Sequence, residues 1–116
     1  MAYLRREKEI VEVDYPLAKV WDAIGNAIAS LEWTMDETNE ATHQLKTKTK
    51  ANFMAYASTL IVEASAVSEN TTRVMVTAET PVTTITGIVD FGRTRERLDS
   101  FLLALVKQLK LETPVA

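Results

Sequence analysis

The stretch Ile88–Leu111, IVDFGRTRERLDSFLLALVKQLKL, decides how the rest of the chain is read. Leu98, Phe101, Leu102, Leu105 and Leu109 recur at the spacing of one helix face, and Leu103 and Val106 widen that stripe. A helix of this kind is expected to be covered over more than half of its circumference. At roughly 1.5–3 kcal/mol for each large apolar side chain fully buried, these residues supply on the order of 10 kcal/mol gross. That gain must offset a chain-entropy cost of similar size. Lys107 and Lys110 lie near the end, where cations suit the helix dipole, and Pro114 marks the stop. Asp90 is the expected N-cap. The preceding β-branched segment, Pro81–Val89, reads as strand, linker or an earlier helical turn.

Working outward from this helix, the chain before it offers one further helix and five strands. Leu17, Val20, Trp21, Ile24, Ala27, Ile28 and Leu31 form a 3.6-residue stripe that begins just after Asp14-Tyr15-Pro16, where proline suits a helix start. Gly25 interrupts this stripe and predicts a close approach to another backbone, because glycine costs a helix about 1 kcal/mol relative to alanine. Arg6–Asp14 is β-branched and alternating, and predicts a strand. Trp33–Glu37 and His43–Lys50 predict two more, joined by a turn at Thr38-Asn39-Glu40-Ala41. Tyr56–Ser68 and Thr72–Thr80 predict a hairpin about Glu69-Asn70-Thr71. Its inward faces are Leu60, Val62, Ala64 and Ala66 on one strand, and Val74, Val76 and Ala78 on the other. Short connections make consecutive strands antiparallel. The expected fold class is therefore α+β: an antiparallel sheet in β-α-β4-α order, wrapped around a long C-terminal helix.

Composition bounds the function. The 116 residues, 47% apolar and 25% charged, are enough for one globular domain spanning 1–116, and too few for two. A net charge of −3 disfavours nucleic acid as a partner. The absence of cysteine removes disulfides, thiol catalysis and thiolate metal sites, and fits a reducing compartment. The N-terminal MAYLRREKEIVEV lacks an apolar leader core, and no apolar run is long enough to span a membrane. The expected location is cytoplasmic.

Order and wording together resemble the helix-grip proteins, the plant pollen-allergen (Bet v 1-like) and steroid-transfer (START-like) lipid-binding domains. The residues that carry the resemblance are Val11–Ile24, VEVDYPLAKVWDAI: a strand, a proline-bearing turn, then a V-W-x-x-[IL] helix start. The long amphipathic helix at the end matches as well. The chain departs from typical members in being shorter, with fewer strands and no second short helix after the first. Its order is close to the bare β-α-β4-α core shared with the TATA-box-binding-protein-like fold. The resemblance implies a small hydrophobic ligand held between sheet and helix.

Candidate site residues fall into two sets. Trp33, Phe53, Met54, Tyr56 and Phe91 are the expected lining of a ligand pocket, weighed against a filled core, since a cavity needs about 300 Å3 or more. Arg93, Arg95 and Arg97 crowd the start of the final helix, where the dipole opposes cations. They are expected to pair with carboxylates (Asp90, Glu96, Asp99 or Glu79) or to bind an anion. His43 is the only histidine, which leaves neither a zinc site nor a catalytic base with a nucleophile. No phosphate-binding glycine pattern occurs, and no cofactor or metal is expected. Lys46, Lys48 and Lys50 line one strand face, as an edge guard or a phosphate track. The leading function is a non-catalytic binding domain for a small apolar or amphipathic ligand. The alternatives are a protein-interaction or homodimerisation domain using the exposed sheet, and a weak anion or nucleic-acid binder through Arg93–Arg97. An enzyme is the least favoured class.

Overall fold

Alternation of aliphatic and polar residues along the strands builds a single five-stranded sheet. A computed structural model describes residues 3–49, 58–82 and 93–112. The elements are β1 (Tyr3–Val13), α1 (Leu17–Ser30), β2 (Thr34–Asn39), β3 (Gln44–Lys48), β4 (Thr59–Ser68), β5 (Thr71–Val82) and α2 (Arg93–Glu112). The strand order is β1-β5-β4-β3-β2, with every neighbouring pair antiparallel. The expected α+β architecture is the one observed. β1 and β2 are the two edges, so the connection that contains α1 crosses the whole width of the sheet.

One face of the sheet is buried. Leu45 on β3, Leu60, Val62 and Ala64 on β4, and Val74, Val76 and Ala78 on β5 face inward as the alternation predicts. They meet Val20, Ala23, Ile24, Ala27 and Ile28 of α1, and Leu98, Phe101, Ala104, Leu105 and Leu109 of α2. Ala66 does not join them. The β4–β5 hairpin is exposed from Ser65 to Asn70, past a bulge between Ala66 and Ser68.

Pro16 occupies the N-cap of α1, with extended geometry (φ −62°, ψ 151°) and no side-chain cap. At the other end Glu32 turns into the left-handed region (φ 59°). Its amide donates to Ala29, and that of Trp33 donates to Ile28, closing the orphan carbonyls of the last turn in a Schellman pattern. That turn delivers Trp33 against the edge of the core. Gly25 contradicts the close approach expected of it: a Cβ placed there would have nothing within 4 Å.

Two further expectations are corrected. Leu103 and Val106 do not widen the buried stripe of α2. They are 59% and 40% exposed, because α1 and the sheet cover only the face defined by Leu98, Phe101, Leu105 and Leu109. β3 is not an edge strand, since it pairs with β2 on one side and β4 on the other. The edge is β2, which is short and exposed throughout and carries a bulge between Met35 and Glu37; short length and bulging both discourage edge pairing. His43 precedes β3 in a turn (φ 54°), where its carbonyl accepts the Ala64 amide and its ring stands edge-on to Trp21 at 5.3 Å. Lys50 lies outside the described residues.

Candidate functional site

At one end of the sheet the inward-facing side chains change character together. Along β3 the sequence of inner residues runs Leu45, Thr47, Thr49. Along β4 it runs back from Val62 and Leu60 to Ser58, and along β5 from Val76 and Ala78 to Thr80. On α2 it runs back from Phe101 and Leu98 to Thr94. Thr47, Thr49, Ser58, Thr80 and Thr94 are all buried. The antiparallel register explains why they meet: Thr59 lies opposite Glu79 and also opposite Lys48, so the neighbouring positions Ser58, Thr80 and Thr49 share one level.

These hydroxyls are bonded to one another and to the ends of the strands. Ser58 Oγ and Thr80 Oγ1 are 2.5 Å apart, and Thr80 Oγ1 and Thr94 Oγ1 are 2.8 Å apart. The Ser58 amide donates to Thr49 Oγ1 (2.8 Å), and the Thr49 amide to the Ser58 carbonyl (2.9 Å). Thr47, one inward step away beside Leu60, donates from Oγ1 to the carbonyl of Thr34 (2.7 Å), tying the edge strand to β3. Arg97, one turn along α2 from Thr94, donates from Nη1 to Ser58 Oγ at 2.5 Å. The cluster therefore joins β3, β4, β5 and α2 through hydroxyls and one guanidinium, with aliphatic core directly beside it.

The three arginines of the sequence pattern do not act as one group. Arg95 turns toward β1, where it meets Glu9 at 3.1 Å, and it also reaches Asp99, one turn along, at 3.1 Å. The hydrogen bond to Glu9, reinforced by the charge of Asp99, raises its pKa further above the ordinary arginine value. Arg97 turns inward, because a step of two residues rotates a helix by about 200°. Arg93 opens α2, and its side chain lies outside what the structure describes.

Of the expected pocket residues, Trp33 packs half-buried against the core. Phe53, Met54, Tyr56 and Phe91 lie outside the described residues. Their places in the chain are informative nonetheless: residues 50–57 connect Thr49 to Ser58, and residues 83–92 connect β5 to α2. The sequence reading missed Ser58, Thr80, Thr94 and Thr49. A signal was present in the hairpin, whose register sets Ser58 close to opposite Thr80, but nothing in the sequence alone brings Thr94 to them.

No family profile and no curated protein sequence matches the chain. Solved structures do. The ZhuI aromatase/cyclase from Streptomyces sp. R1128 superposes with a TM-score of 0.73 at 10% identity, over 93% of this chain and 94% of that one. Norcoclaurine synthase from Thalictrum flavum, in complex with dopamine and hydroxybenzaldehyde, superposes at 0.70 and 10% identity, over 98% and 91%. Ara h 8.0201 superposes at 0.65 and 11% identity, over 93% and 99%. The chain has the helix-grip fold of Bet v 1-like and START-like proteins. Among the described residues, no helix is long and apolar enough to cross a membrane.

Proposed function

We propose that this helix-grip domain is a non-catalytic binder of a small apolar or amphipathic molecule, held between the inner face of the sheet and α2. One observation carries the proposal: the change from aliphatic to hydroxyl side chains at the same level on four separate elements. An all-aliphatic level of the same shape would pack about as well. Valine fills nearly the volume of threonine, and a buried hydroxyl costs about 1–3 kcal/mol wherever its bonding is lost. Thr72 is buried at the other end, where it donates to the Tyr15 carbonyl, but the cluster of Thr49, Ser58, Thr80 and Thr94 gives the interior a polar part beside its apolar part, the two environments an amphiphile needs. The side chains proposed to line the site are Trp33, half-buried against the core, and Phe53, Met54, Tyr56 and Phe91, which lie outside the described residues. The ligands in the norcoclaurine synthase complex are small aromatic molecules with polar substituents, which agrees with such a site. Two of the similar structures are enzymes by name. The cluster here holds hydroxyls and a guanidinium but, among the described residues, neither a carboxylate nor an imidazole, so its chemistry favours binding over proton transfer.

The test is titration with the neutral probe Nile red, and then displacement by dodecan-1-ol while backbone amide shifts are followed by NMR. One-to-one binding with shifts centred on Ser58, Thr80 and Thr94 is expected. Shifts centred on the outer face of α2, or no saturable binding, would refute it.

A second reading, self-association, is favoured by the exposed pair Leu103 and Val106 on α2. Leu103 borders an open hollow of about 430 Å3 shared with Leu31 and Ala104. Light scattering across a concentration series separates a dimer from a monomer.

A further inference from the structure

The face that α2 turns away from the core is ordered by charge. At about 100° of rotation per residue, Glu96, Asp99, Val106, Lys107 and Lys110 all lie within about 60° of Leu103 around the helix. All of them are exposed. The two acids lie about one and two turns before Leu103, and the two lysines about one and two turns after it. Glu96 and Lys110 are equally far from Leu103 along the chain, and so are Asp99 and Lys107. We propose that this face is the contact between two copies of the chain, with their α2 helices antiparallel and a two-fold axis passing at Leu103. The proposal rests on the self-association reading above and specifies its surface and orientation.

A two-fold contact uses the same patch on both partners, so the patch must complement itself. Reversing α2 about Leu103 sets Glu96 level with Lys110 of the second copy, and Asp99 level with Lys107 of the second copy. A parallel pair would set acid beside acid. Asp99 already accepts from Arg95 through one oxygen, but its side chain is 57% exposed and a carboxylate has a second oxygen to offer. The helix dipole also favours acids early and lysines late. It gives no reason for Leu103 and Val106 to face water at the centre between them. The open hollow of about 430 Å3 beside Leu103, bordered by Leu31 and Ala104, has room for the leucine of a second copy. α1 has no exposed large apolar side chain, so α2 rather than α1 carries the apolar patch of the helical layer. A partner of a single charge sign is drawn to one half of this face and repelled by the other, whereas the reversed copy satisfies both halves.

A face one helix wide falls well short of the roughly 800 Å2 per partner of a standard interface, so the expected dimer is weak, with a Kd on the order of 100 µM. Light scattering on the full chain is expected to show the mass rising from monomer toward dimer between about 10 µM and 1 mM. Lys107→Glu/Lys110→Glu leaves the face with acids only, and Glu96→Lys/Asp99→Lys leaves it with lysines only. Each pair of changes is expected to weaken self-association at least about tenfold, and an equimolar mixture of the two variants to associate again. Circular dichroism confirms that each is folded; should one fail to fold, the other must still lose self-association. Orientation is read by cross-linking, since the chain has no cysteine of its own. Mixed Glu96→Cys and Lys110→Cys chains, treated with a short bismaleimide, are expected to join position 96 to position 110 in preference to like positions. Preferential joining of like positions overturns the antiparallel contact and leaves self-association standing. So does a dimer that both charge reversals leave intact, or a mixture of the two variants that stays monomeric. A parent chain that is monomeric up to about 1 mM overturns the self-association reading and this contact together.

Discussion

Arg97 on α2 donates a 2.5 Å hydrogen bond to Ser58, at the start of the central strand β4. The helix that completes the fold is thus linked to the middle of the sheet through a polar contact at one end, while Leu98, Phe101, Leu105 and Leu109 hold it by burial along the rest of its length.

The hydroxyl chain can be broken at its middle member. Thr80→Val keeps the shape but removes the oxygen that lies 2.5 Å from Ser58 and 2.8 Å from Thr94. Because both partners are buried, the expected loss is about 1–3 kcal/mol. Urea unfolding measures it, and a variant as stable as the parent would show that these contacts are energetically idle.

Leu105→Ala probes the apolar end. Leu105 is 1% exposed and lies in the cluster shared by both helices and the sheet. Truncation is expected to cost about 2–5 kcal/mol by urea unfolding. A cost below about 1 kcal/mol would mean that the leucine borders a void.

Gly25→Ala is expected to stabilise the chain by about 1 kcal/mol, since alanine favours a helix interior and its methyl group meets open space here. A raised melting temperature supports this, and a lowered one would reveal an unseen approach to the helix.

Leu103→Gln tests the outer face of α2. In a monomer, exposed Leu103 contributes little, and the substitution should change stability by no more than about 0.5 kcal/mol. A larger loss that depends on protein concentration would instead support the self-association reading.

Amphipathic periodicity is a local property, and it specified α1, the buried stripe of α2 and the inward faces of β3, β4 and β5. Those features follow from which side chains gain by leaving water, and the order of elements follows from where their patterns break. The exposure of Leu103 and Val106 did not follow, because a stripe shows which residues can be buried and not how much surface the other layers have to cover them. The interior place of β3 was equally hidden, since a lysine-bearing strand face looks the same beside one neighbour or two. Arg93, Arg95 and Arg97 looked like one cationic group in sequence, but helix rotation sent Arg95 to Glu9 and Arg97 to Ser58. The hydroxyl level is the clearest case. Thr49, Ser58, Thr80 and Thr94 are each ordinary residues in their own segments, and only strand register and the docking of α2 bring them together, because hydrogen bonds between side chains distant in the chain require the packing that burial elsewhere provides.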